Sequence, residues 1–157
     1  MNVKQILIAT AVIALAPIAG QAASKQKFGE AYPLEIVETP STLTLRERPA
    51  LFISGTASIV GHRSLHLADV EAQTRETFVN LRAVIQAANS QLATPAFALE
   101  TLGYTIYVRH ATDVAQVKAE FLQVVGTDSG AAGNAVFLHG DVCRAELLVE
   151  IEATSFI

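Results

Sequence analysis

Tryptophan is missing from these 157 residues, and cysteine occurs once, at Cys143. A lone thiol excludes an internal disulfide, and no Cys/His spacing reads as a zinc site, so no metal is expected. Basic runs are lacking as well: 11 Lys and Arg stand against 15 Asp and Glu, for a formal charge of -4. Binding to a phosphate backbone depends on clustered positive charge, so nucleic acid is not an expected partner. G-x-G-x-x-G and P-loop motifs are both absent, which leaves a nucleotide fold without support. No organic cofactor is implied. Internal repeats and low-complexity tracts are absent too, and the length fits one core.

Apolar residues are plentiful, at 51% of the chain, and the N-terminus supplies much of the excess. MNVKQILIATAVIALAPIAGQAAS has Lys4 near its start, an uncharged run from Ile6 to Gly20, and small residues at Ala22 and Ala23. That order is the pattern of a secretory signal peptide, and the run is shorter than the roughly 18 residues of a spanning helix. Residues 1-23 are therefore expected to be a leader cleaved near Ala22 or Ala23, giving an exported, periplasmic or secreted protein. Contact with a membrane would come only through an uncleaved leader. A retained anchor is one alternative; a misassigned start codon is the other, and would leave the chain cytoplasmic.

Residues 24-49 form a polar lead-in punctuated by Pro33, Pro40 and Pro49. Leu34 to Val37 and Thr42 to Leu45 can pair there as a hairpin around Thr39-Pro40-Ser41. From residue 50 to 157 the pattern becomes that of one domain. Ala50 to Ser58 reads as a strand, and Val70, Phe78, Leu81, Ile85 and Ala88 recur at helical spacing between Asp69 and Asn89. Asp69 is the expected N-cap of that helix. Thr101 to Val108 is a second strand, and Asp113 with Gln116 predicts a capping box before a helix carrying Val114, Val117 and Phe121. Gly126 to Gly133 reads as a loop, followed by strands at Ala135 to Leu138 and Glu146 to Ala153. The order is that of an α+β domain: a sheet with helices on one face and the other face still to be covered.

One stretch resists this reading. ISGTASIVGH, Ile53 to His62, turns small and hydroxyl-rich where a core strand should continue. LFISGTASIVGH, DVEAQTRETFVNL, YTIYVRH and ELLVEIEA together resemble the successive blocks of the Rid/YjgF superfamily. That resemblance implies a six-stranded mixed sheet with two helices on one face, packed into a homotrimer whose inter-subunit clefts hold the ligand. Within the superfamily, SGTASIVGH and HGDVCRAELLVEIE are most similar to the catalytic C-terminal half of the chorismatases, which convert chorismate to pyruvate plus a dihydrodiene or hydroxybenzoate.

The chorismatase resemblance places Glu150 where the family has its proton-donating glutamic acid. Desolvation in an apolar cleft favours the neutral form of a carboxyl group, which can then donate near neutral pH. Alternation puts Leu147, Val149 and Ile151 on one face of the last strand and Leu148, Glu150 and Glu152 on the other. Glu150 and Glu152 could equally be two residues of a wet face. Cys143 falls at a pocket-lining position, where a thiol is associated with the hydroxybenzoate-forming branch; a lone cysteine is otherwise a small hydrophobe. Gly55 and Ala57 leave room for a flat ring, and Ala57 with Cys143 points to a 3-hydroxybenzoate outcome; a strand bulge without a ligand is the alternative there.

Chorismate is a dianion, and Arg109 and Arg144 are the candidate cations, unless both are solvated strand-end residues. His62, His66 and His110 read as loop residues, and Gln73 and Asn80 as residues along the polar face of the first helix, not of a site. Two further functions stay open. One is an exported, non-catalytic Rid-like trimer binding small acidic or aromatic ligands. The other is a Rid-type imine deaminase, against which Ala135 stands at the position of that group's carboxylate-gripping arginine.

Overall fold

The computed structural model describes residues 42-45 and 48-155. The expected leader and the strand at Leu34 to Val37 lie outside these residues. In chain order the elements are strands β1 (Thr42–Leu45), β2 (Arg48–Thr56), β3 (Ile59–Val60) and β4 (Arg63–Ser64), helix α1 (Val70–Asn89), strand β5 (Gly103–Val108), helices α2 (Val114–Val125) and α3 (Gly130–Asn134), and strands β6 (Val136–His139) and β7 (Val149–Thr154).

Five strands form the main sheet in the order β1-β2-β7-β5-β6, and β3 with β4 makes a separate two-stranded ladder. Among the described strands only β5 and β6 run parallel; the other pairs are antiparallel, so the sheet is mixed. The main sheet thus has five strands among the described residues where the resemblance implies six. Thr42–Leu45 pairs with Arg48–Leu51, which makes β1 the edge of the sheet among the described residues.

Both long helices cover one face. α1 contributes Phe78, Leu81, Val84, Ile85 and Ala88, and α2 contributes Val117, Phe121 and Val125, against Leu51 and Ile53 of β2, Tyr104, Ile106 and Val108 of β5, and Val149, Ile151 and Ala153 of β7. Phe121 sits at the centre of an aromatic cluster, with ring centroids 6.0 Å from Phe78, 5.3 Å from Tyr104 and 5.7 Å from Phe137. Burial strictly alternates along β7. Its even-numbered residues therefore point to the face without helices, where Phe52, Val136 and Leu138 are also exposed.

Asp69 caps α1 as the sequence predicts: its Oδ1 accepts from the Ala72 N–H at 2.9 Å. Asp69→Ala should lower stability by about 1 kcal/mol, read as a shifted denaturation midpoint with an unchanged slope. The second cap differs from expectation. Ala111–Asp113 forms a 3-10 turn that leads directly into α2, so Asp113 already has helical backbone angles, and its carboxylate accepts from the Thr112 hydroxyl instead of capping the helix. Gly126 to Gly133 is likewise not all loop. Ser129 accepts from the Ala132 N–H at 3.0 Å and starts the short α3.

Candidate active site

The puzzle of the small-residue stretch resolves at β2. Pairing between β2 and β7 shifts register between Ile53 and Thr56, so a bulge lies at Ser54-Gly55. Opposite it, the Glu150 side chain lies over Gly55: a Cβ built on Gly55 would sit 2.7 Å from the Glu150 Cδ and 3.1 Å from its Cγ. No side chain fits at residue 55 unless the carboxylate moves. The absence of a Cβ is thus what allows Glu150 to lie across the strand.

Cys143 closes the other side. It sits in the loop Gly140 to Leu148 between β6 and β7 and is exposed. Its thiol is pushed above the ordinary thiol range, first by burial, then by the charge of Glu150 and a hydrogen bond with it, against a smaller lowering by Arg144. Gly55, Glu150 and Cys143 are therefore brought together. Ala57 is buried in a small cluster with Ile59 and Leu147, against which Val142 packs, and so it backs the Cys143 loop.

Tyr107, which pairs directly with Glu150 across β5 and β7, extends the group. Its hydroxyl donates to Glu152 at 3.2 Å. Burial raises the phenol's pKa first, followed by the charge of Glu152, the hydrogen bond to it, and the charge of Glu150. Alternation along the YTIYVRH block places Tyr107 on the same face as Glu150, and that signal could have singled it out in the sequence. Glu152 faces a neighbouring hollow of about 390 Å³ with Phe52, Ser54, Thr105 and Val136 in its wall. Glu150 does not line that hollow; it belongs to the Gly55–Cys143 group.

The two arginines hold the loop. Arg109 donates from Nε to the Leu147 carbonyl at 2.7 Å, from Nη1 to Asp141 at 2.6 Å, and from Nη2 to the carbonyls of Val142 and Arg144, both at 2.9 Å. With its side chain only 15% exposed, it is neither a solvated strand-end arginine nor a free clamp for a substrate carboxylate. Arg144 donates from Nη1 to the His62 carbonyl at 3.0 Å and to the Ser64 hydroxyl at 3.2 Å, tying the loop to the β3–β4 ladder. Its charge still reaches Cys143.

Gln73 and Asn80 depart most from the sequence reading. Both are buried, at 0% and 3% exposure, because they lie on the stripe of α1 that faces the core. Gln73 Oε1 accepts from the Leu148 N–H at 2.7 Å, and its Nε2 donates to the carbonyls of Glu146 at 2.9 Å and His66 at 3.2 Å. Asn80 Nδ2 donates to the carbonyls of Ala57 and Ile59 at 2.9 and 3.0 Å. These amides fix the two irregular segments that carry the site. His62, His66 and His110 do lie outside the helices and strands, with His66 3.5 Å from Glu76. Ala135 is half-buried against the main core just ahead of β6. No group of three metal-ligating side chains occurs among the described residues.

Comparison with solved structures places this architecture. RidA from an Antarctic Psychrobacter species superposes with a TM-score of 0.55 at 17% identity, covering 76% of this chain and 94% of that one. A chorismatase crystal structure superposes with a TM-score of 0.63 at 30% identity, covering 72% of this chain and 34% of that one. The chain has the Rid/YjgF fold. Within that superfamily it resembles the C-terminal half of chorismatase: it is 36% identical over 105 residues to a chorismatase of Streptomyces rapamycinicus and 35% identical to a 3-hydroxybenzoate synthase of Streptomyces hygroscopicus. Each match takes in 65% of this chain but 30% of the relative, so the chain spans about a third of their length. No family model matches it.

Proposed function

We propose that the chain is a chorismatase-like lyase domain that converts chorismate to pyruvate and a hydroxybenzoate of the 3-hydroxy type. The observation that carries this is the Glu150 carboxylate, seated over Gly55 and against Cys143 on the open face of the sheet, in a chain with chorismatase relatives. Glu150 donates a proton to the methylene carbon of the enol ether and so starts its cleavage. The two products together contain the atoms of chorismate, so the proton is recovered when the ring aromatises and no cofactor is consumed. Cys143, Ala57 and Gly55 shape the ring pocket. Arg144 supplies positive charge beside it; Arg109 acts from behind the loop.

The open face also supports a homotrimer, since Phe52, Val136 and Leu138 expose apolar surface there and the site lies on the same side. A neighbouring subunit would enclose the cleft and could bring the remaining cations for a dianion. Export through residues 1-23 is part of the same proposal. Purified protein incubated with chorismate should release pyruvate and a hydroxybenzoate in equal amounts, with a trimer mass by light scattering. A trimer that releases no pyruvate overturns the lyase reading.

A further inference from the structure

We propose that Arg109 is a positioning residue: by clasping the backbone on both sides of Cys143, it holds the thiol against the Glu150 carboxylate. A single nitrogen, Nη2, binds the carbonyls of Val142 and Arg144, which flank Cys143 in the chain. Two carbonyls converging on one nitrogen bend the segment between them, and the bend presents residue 143 outward. Nε and Nη1 fix the ends of the same loop, at Leu147 and Asp141. The backbone reinforces the clasp. Arg109 N–H donates to the Leu148 carbonyl at 2.9 Å and Gly140 N–H to the Val108 carbonyl at 3.1 Å, so both ends of the loop are hooked to the end of β5.

The planar fork of a guanidinium can serve these separate acceptors at once, while an ammonium is a single point of charge. Arg109→Lys therefore keeps the charge near Asp141 but gives up the clasp on the carbonyls beside Cys143. This inference rests on Glu150 and Cys143 forming one site. It does not rest on turnover, so a protein that releases no pyruvate can still be tested.

Cys143 is the only cysteine in the sequence, so alkylation by iodoacetamide reports on it alone. Burial and Glu150 hold the thiol protonated, and the native rate at pH 8 should be slow. Glu150→Gln and Arg109→Lys should each speed it severalfold, because each removes an influence that disfavours the thiolate. The double variant should be no faster than either single one, because both act through the same thiol–carboxylate contact. A purely structural role for Arg109 predicts rates that multiply instead, and that result, or an unchanged rate in Arg109→Lys, overturns the proposal. Should Arg109→Lys lack a cooperative melt, Asp141→Ala, which removes an exposed partner of one arm, enters the same cycle. A smaller acceleration that disappears in the Glu150→Gln background supports the clasp; one of equal size in both backgrounds refutes it.

Discussion

Glu150→Gln is expected to lower pyruvate release from chorismate by about 10²- to 10⁴-fold, the usual contribution of a positioned general acid. Glutamine keeps the shape over Gly55 and the hydrogen-bonding capacity beside Cys143, but an amide has no acidic proton to give to carbon. The loss should therefore appear in kcat, with KM changed little. Gly55→Ala probes the same step from the other strand. Its new methyl would meet the Glu150 carboxylate, which is the far end of a flexible side chain. The carboxylate can swing aside at small cost, so the fold should survive with a stability change within about 1 kcal/mol. Turnover should still fall about 100-fold, because a displacement near 1 Å is enough to misalign a proton donor. Full activity in Gly55→Ala would mean that the proton comes from elsewhere.

One part of this site was legible in the sequence and another was not. Alternation alone put Glu150 and Glu152 on the face away from the helices, since period-two patterning is local and β7 obeys it. The helix positions followed for the same reason, down to the Asp69 cap. The β2 bulge was present only as a surplus of small residues; its cause, a carboxylate from a strand nearly a hundred residues later, is not a local property.

Arg109 is another such case. At the end of a strand its charge suggests solvent or a ligand, and nothing near residue 109 announces that the carbonyls of residues 142, 144 and 147 will converge on it. Gln73 and Asn80 were legible in principle. They are seven residues apart, two turns of helix, and share the stripe of Val70, Thr77 and Val84, all buried. A polar residue on an apolar stripe is a buried hydrogen-bonding group that requires partners. Reading them as part of the wet face gave more weight to polarity than to position. The Asp113 cap erred in the opposite direction: the motif spacing was right, but one preceding 3-10 turn moved the true start of the helical backbone ahead of it.

Gln73→Leu should be the most damaging change to the fold around the site, lowering stability by about 2–4 kcal/mol as two part-buried backbone groups lose their partner at about 1–2 each. The groups are the Leu148 N–H, which donates to Oε1 at 2.7 Å, and the Glu146 carbonyl, which accepts from Nε2 at 2.9 Å. The third partner matters less: the His66 carbonyl also accepts from the Asp69 N–H at 3.1 Å and keeps that bond. His66 and Ala68 have φ of 55° and 60°, a left-handed backbone that costs non-glycine residues on the order of 1–3 kcal/mol each. Freed from Gln73, that turn can relax and return part of the loss. Asn80→Leu leaves only carbonyls behind, at Ala57 and Ile59, and carbonyls tolerate a missing partner better than amides do. Its cost should be the smaller of the two, about 1–3 kcal/mol. Urea denaturation gives the order of the two variants, and hydrogen exchange at the Leu148 amide locates the damage, because protection there should drop in Gln73→Leu and persist in Asn80→Leu. Equal losses with intact Leu148 protection would mean that the Arg109 clasp alone anchors the start of β7.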